Sequence, residues 1–371
     1  MRVLVIGSPK RDFHVGFDTL TLGLGRAGAE VDHYPNILTE SYGHTGAYSL
    51  RFEGRDIAFP EYRSVADNLR KKRYDLIITT VCHVDYSGGK HGYLSWAARR
   101  FKFSLRSNRR KLGGTLVSDW LRQGMKLPPF IVVDDTDDPF IYPVDLDLLW
   151  GCAAYFKREL PFDKFFCFRL FESALDKEQK IALASKIQPV WISYDAGSIE
   201  PYVRTQEIRP YREREVDISF LCNIHMSYNR LRMLPILEGI GKSYRVATMK
   251  NGKFGKKEYF DILKNTKISI SLEGRGWDCP KHYEMMLCGS LLFVARPTRK
   301  LAFDLKDGHN CVFVGNDLGN IEERLEYYLE NTDLSAAIAT RGHELARDSL
   351  NNVRLAEYVL GTAVRAIGEN V

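Results

Sequence analysis

Short apolar runs alternate along this chain with stretches of helical spacing. In the first half the runs are Arg2 to Gly7, Ala29 to Tyr34, Tyr74 to Thr80, Phe130 to Val133 and Ala153 to Lys157. Between them, Phe17 to Arg26, Tyr62 to Lys72, Thr115 to Gly124 and Leu146 to Trp150 place apolar residues on one helical face. The second half repeats the theme, with strands expected at Asp217 to Leu221, Tyr244 to Met249, Ile268 to Leu272, Leu291 to Ala295 and Cys311 to Val314. Strands that are mostly apolar throughout, with helices between, predict parallel sheets covered on both faces. The fold class is α/β.

Length and punctuation divide the chain. At 371 residues it exceeds one hydrophobic core. Residues 204–215 are strongly charged with Pro210 inside, the composition of a connection between domains. The expected division is an N-terminal Rossmann-like domain over 1–200, a linker over 201–215, a C-terminal Rossmann-like domain over 216–345 and a terminal helix over 346–371. The opening βαβ unit lacks GxGxxG, which argues against a dinucleotide enzyme.

One stretch, residues 269–297, carries the clearest candidate site. A strand enters a loop in which Gly274 and Gly276 flank Arg275, with Glu273 just before them. These glycines allow a tight turn beside something bulky. Pro280 opens a short helix bearing Lys281 and Glu284, three residues apart on one face, and Gly289 closes it. A helix N-terminus, a lysine and a glutamate suit phosphate and ribose respectively. The same residues suit an ordinary βα loop with its charges in water.

The run Lys281-His282-Tyr283-Glu284, then Met285-Met286-Leu287-Cys288-Gly289, resembles the donor-binding region of GT-B glycosyltransferases. Within the group-1 enzymes it is most similar to the CgeB-like (spore-maturation-like) group. Pro297, the turn Asp307-Gly308-His309-Asn310 and the segment Asn316-Asp317-Leu318 extend the likeness, which covers the chain from about Asp217 onward. The resemblance implies two Rossmann-like domains facing across a cleft, with the last helix crossing back to the first domain. It implies a nucleotide-sugar donor, UDP-linked, in the C-terminal domain and an acceptor in the N-terminal one. Lys281, Arg275 and helix N–H groups would then stabilise the leaving diphosphate, Glu284 would hold the ribose hydroxyls, and the loop of Asn223 and His225 would meet the diphosphate. Neither a catalytic metal nor a separate cofactor is expected. Glu273 would stand for the first member of a glutamate pair, but ten residues separate it from Glu284, more than in the retaining enzymes of that group. The stereochemical outcome is therefore not carried over.

Charge and cysteines refine this only slightly. A net charge of +6 suits an anionic donor, acceptor or surface without choosing among them. Seven cysteines without CxxC or Cys/His spacing fit reduced thiols in the cytoplasm, and no apolar stretch is long enough for a transmembrane helix. The segment 99–111 holds Arg99, Arg100, Lys102, Arg106, Arg109, Arg110 and Lys111 with no acid, so it reads as a solvated face or a polyanion contact. Asp134, Asp135, Asp137 and Asp138 crowd the end of a strand; they lack calcium-loop spacing, and a structural turn is expected there.

An inverting transfer needs a base near the acceptor hydroxyl, and Asp12, His14, His83 and Asp85 stand on strand-end loops. The expected activity is transfer of a sugar to a hydroxyl on a glycan, a surface component or a modified base. Two alternatives stay open: a DNA-modifying glycosyltransferase that grips duplex through residues 99–111, and a silent nucleotide- or sugar-binding protein.

Overall fold

The computed structural model describes residues 1–7, 15–35, 57–82, 113–194, 196–203, 208–249 and 254–369. These divide into two compact units. The first holds the described residues up to Trp191 and those from Leu355 onward; the second runs from Ile192 to Arg354.

Unit 1 is built on a sheet of seven described strands: β1 (Arg2–Ile6), β2 (Glu30–Tyr34), β3 (Ile57–Ala58), β4 (Leu76–Thr79), β5 (Phe130–Asp134), β6 (Ala154–Lys157) and β7 (Ile187–Pro189). Their spatial order is β3-β2-β1-β4-β5-β6-β7, and every pair is parallel. Ile6 stands opposite Tyr34 on one side and Thr79 on the other. Burial of β1, β4, β5 and β6 on both faces explains why the sequence shows continuous apolar runs there. The connecting helices in this unit are α1 (Val15–Arg26), α2 (Tyr62–Arg70), α3 (Gly113–Arg122), α4 (Leu146–Gly151) and α5 (Lys177–Lys186). The last begins with a reciprocal capping box between Asp176 and Gln179.

The acidic turn after β5 is spent on this unit's own structure. Asp134 and Lys157 are fully buried and paired at 2.7 Å, and Asp134 also accepts from the Tyr155 hydroxyl and from Thr136. Asp135 accepts from the Phe17 N–H in the first turn of α1 at 3.1 Å. Asp137 pairs with Arg158, and Asp138 accepts from the Tyr142 hydroxyl at 3.0 Å. All four carboxylates thus have protein partners, which is the physical reason for their crowding.

Unit 2 contains α6 (Ala196–Val203), β8 (Val216–Phe220), α7 (Tyr228–Ile240), β9 (Val246–Thr248), α8 (Lys256–Lys264), β10 (Thr266–Ser271), α9 (Pro280–Leu287), β11 (Leu291–Ala295), β12 (Val312–Val314), α10 (Ile321–Glu330) and α11 (Thr332–Ser349). Pro189 and Pro201 bracket residues without clear periodicity, yet Ala196–Val203 is helical with Pro201 inside it. The five described strands run parallel in the order β12-β11-β10-β8-β9. The final helix, α12 (Asn352–Gly368), leaves unit 2 in its first turn. From Leu355 it belongs to unit 1, where the Tyr358 hydroxyl donates to the Pro189 carbonyl at 2.8 Å.

Candidate functional site

Parallel sheets bind ligands beyond the carboxyl ends of their strands, where the chain reverses its direction of travel across the sheet. In unit 2 that reversal lies between β8 and β10. The chain leaves β8 for β9 on one side, then returns to β10 on the other. The segments after β8 and after β10 therefore converge there.

Arg230 ties the two segments together. Ser227 caps α7, and one turn in, the buried Arg230 donates through Nε at 3.1 Å and Nη2 at 2.8 Å to the Leu272 carbonyl after β10. Its Nη1 donates to the Asn223 carbonyl after β8 at 3.0 Å. A methyl group on Gly274 would come within 3.2 Å of Arg230 Nη2, so the bulky neighbour of that glycine is this guanidinium. The far end of the same loop is also fastened. Trp277 Nε1 donates to the Ala295 carbonyl and His282 Nε2 donates to the Trp277 carbonyl, each at 2.8 Å. Asp278 accepts from the Ile192 N–H at 2.7 Å and from the Tyr283 hydroxyl. Burial pushes the His282 imidazole down to about 4, against the weaker upward pull of its bond to Trp277. The imidazole is thus neutral at pH 7, and its Nδ1 has no hydrogen-bond partner among the described residues.

The loop between these two anchors presents Glu273, half-buried, and Arg275, exposed; neither makes a side-chain hydrogen bond or ion pair among the described residues. Helix α9 follows with Pro280 in its first turn and Cys279 at its cap, where no side chain caps the backbone. Lys281 reaches across to donate to the Leu221 carbonyl at the end of β8, at 2.5 Å. Glu284 is buried and accepts from the Tyr259 hydroxyl of α8 at 2.7 Å. Gly289 ends α9 with a φ of +68°, and a methyl group there would meet Arg214 Nη2 at 2.9 Å.

The structure therefore gathers Glu273, Gly274, Arg275, Gly276, Lys281 and Glu284 about one strand-end crevice with Asn223. The Asn223 side chain caps the turn Ile224–Met226 by accepting from the His225 N–H at 3.1 Å, and both side chains are exposed. Asp12, His14, His83 and Asp85 lie outside the described residues, as do Arg99, Arg100, Lys102, Arg106, Arg109, Arg110 and Lys111. Two participants escaped the sequence reading. Arg230 lies on the same buried stripe as Met233, Leu237 and Ile240, and an arginine continuing an apolar stripe was the available signal. Tyr259 offered none, because its partner is on another helix.

A surface depression of about 530 Å³ follows α8 past Gly255, Lys257 and Asp261. Its Lys257–Asp261 pair is closed at 2.6 Å, and no residue of the crevice lines it. Among the described residues, no three His, Cys, Asp or Glu side chains converge as a metal site would require, and no helix is long and apolar enough to cross a membrane.

Residues 216–361 match the glycosyl transferase-like family model, which contains every element of this crevice. No curated protein matches the sequence. Among solved structures, an α-glucosyltransferase in complex with UDP and a 13-mer DNA superposes with a TM-score of 0.57 at 8% identity, covering 98% of this chain and 100% of that one. HepE from Anabaena in complex with UDP-glucose gives 0.52 at 10% identity, with 98% and 100% covered. Sucrose-phosphate synthase from Thermosynechococcus elongatus gives 0.51 at 11% identity, with both chains covered fully. At these identities the likeness establishes the fold: two Rossmann-like α/β domains of the glycosyltransferase GT-B type. The family match bears out the glycosyltransferase reading for the second unit.

Proposed function

We propose that the protein transfers a sugar from a UDP-linked donor to a hydroxyl acceptor, and that unit 2 holds the donor. The observation that carries this is the placement of Lys281 and Glu284 on α9, beside the β8/β10 crevice, within the segment that matches the glycosyl transferase-like family. Lys281 spends one N–H on the Leu221 carbonyl, and an ammonium has three, so two remain for phosphate oxygens. The uncapped start of α9 adds backbone N–H groups to the same charge. Arg275, exposed on a loop anchored at both ends, supplies a second cation able to hold a phosphate bidentately. Together they would stabilise the negative charge that builds on the diphosphate as the glycosidic bond breaks. Glu284 is the acceptor for ribose hydroxyls.

The narrower parts of the reading are proposals too. The CgeB-like assignment rests on the Lys281–Gly289 motif. The acceptor would be a glycan or surface component. A base from Asp12, His14, His83 or Asp85 would serve an inverting reaction. A cytoplasmic location is supported by seven free cysteines. Modified DNA as acceptor draws support from the basic segment 99–111, and salt-insensitive indifference to duplex would remove it.

The deciding experiment is a thermal-protection and hydrolysis screen with UDP-, GDP-, ADP- and dTDP-sugars on the wild type, Lys281→Ala and Glu284→Ala. Selective protection by one nucleotide, lost in both variants, is the expected result. A folded wild-type protein that answers to no nucleotide would leave the silent-protein reading in its place.

A further inference from the structure

Unit 1 carries an aromatic surface that its sheet and helices leave uncovered. Phe162, Phe165 and Phe166 are 69%, 42% and 37% exposed, and no other phenylalanine among the described residues is exposed. Leu170 joins them at 46%. All four lie on or just before a 3-10 helical segment, Lys164–Ala174, which buries Cys167, Phe168 and Phe171 instead. The bare rings are held in place from within. Phe165 leans on the buried Phe168 with 6.3 Å between centroids, and Phe166 on Phe140 with 5.2 Å. Rings fixed in this way lose little side-chain entropy when something covers them.

The charges along the segment are unequally answered. Asp163 spends its carboxylate on the Phe165 N–H at 2.9 Å, and Glu172 pairs with Lys180 at 3.5 Å. Arg169 is exposed, lies over the Phe166 ring at 5.3 Å and has no acid partner among the described residues. Bare rings beside an unanswered cation complement an apolar layer beneath anionic headgroups. The size of the patch favours the same occupant. The four apolar side chains expose roughly 400 Å² together, taking about 200 Å² for each when fully bare. One partner in a stable protein interface contributes about 800 Å². A bilayer needs no matching surface of that extent.

We infer that Phe162, Phe165, Phe166 and Leu170 form a face that docks on an anionic lipid bilayer, with Arg169 beside them to meet the headgroups. The chain lies on the membrane without crossing it. The rings enter the boundary between headgroups and acyl chains, and the guanidinium stays level with the phosphates. Neither Lys281 nor Glu284 takes part.

The test is co-sedimentation of the full chain with vesicles of phosphatidylcholine alone and of phosphatidylcholine mixed equally with phosphatidylglycerol. The wild type should bind both, the mixed vesicles about fivefold more tightly, as one cation near an anionic surface provides. Phe162→Ser combined with Leu170→Ser should weaken binding to both by about tenfold or more. Arg169→Glu should abolish the preference for mixed vesicles and leave the neutral ones bound as before. Melting temperatures should match the wild type, because all three positions are exposed. A wild type that binds neither vesicle overturns the inference. Undiminished binding by the double variant also overturns it, since the contact would then lie elsewhere on the chain. So does a dimer, without vesicle binding, that the double variant dissociates; the face would then belong to a second copy.

Discussion

Arg230 donates twice to one carbonyl, that of Leu272, at 3.1 and 2.8 Å, from 42 residues away in the chain. With its third bond to Asn223 it fixes the spacing of the two loops that would hold a diphosphate. Lysine cannot reproduce this fork. Arg230→Lys should lower stability by about 1–3 kcal/mol, and Arg230→Ala by more, because buried carbonyls lose charge-assisted partners. Both should weaken nucleotide protection although neither removes Lys281 or Glu284. Urea unfolding and nucleotide-induced thermal shifts check this; a full nucleotide response in Arg230→Ala would show that the loops keep their spacing without the clamp.

In unit 1 the buried Asp134–Lys157 pair makes a sharper case. Asp134→Ala strands a fully buried ammonium and should cost about 3–5 kcal/mol. Replacing both partners with apolar residues of similar volume should recover much of that loss. A double-mutant cycle by chemical denaturation reads the difference, and additive losses would contradict the pairing.

Gly114 is required by space. A methyl group there would lie 2.6 Å from the Thr80 carbonyl oxygen and 2.8 Å from the Cys82 nitrogen, both backbone atoms that cannot swing aside. Gly114→Ala should therefore destabilise by about 1–3 kcal/mol despite alanine's better helix propensity. Gly255→Ala, where no described residue lies within 4 Å of the added methyl, is the control: it should lose only the small preference for glycine at a helix N-cap. Equal melting temperatures for the two variants would refute the close packing.

His282 predicts a pH dependence. Its folded value, about 4, lies below the ordinary 6.5. Between those values the unfolded chain binds the proton and the native chain does not. Stability should therefore fall as pH drops from about 6.5 toward 4, by roughly 3 kcal/mol from this group. His282→Asn should flatten that part of the profile relative to wild type. Parallel profiles in urea midpoints from pH 7 to 4.5 would mean that His282 is not buried neutral.

The apolar runs and helical spacings determined the α/β class and most of the elements, because strands buried on both faces and amphipathic helices are written in local periodicity. The Lys281–Glu284 spacing and the glycines of the loop were legible for the same reason: each acts within one turn of chain. What only the tertiary structure decided depends on contacts between elements. The four acids from the end of β5 onward looked like one cluster, but their partners sit at Phe17, Tyr142, Tyr155, Lys157 and Arg158. Gly274 signalled a bulky neighbour without naming Arg230. Glu284 read as a lone acid because Tyr259, which holds it, comes from another helix 25 residues earlier. Side-chain pairing across such distances leaves no mark in local pattern, and it is this pairing that turns a strand-end loop into a site.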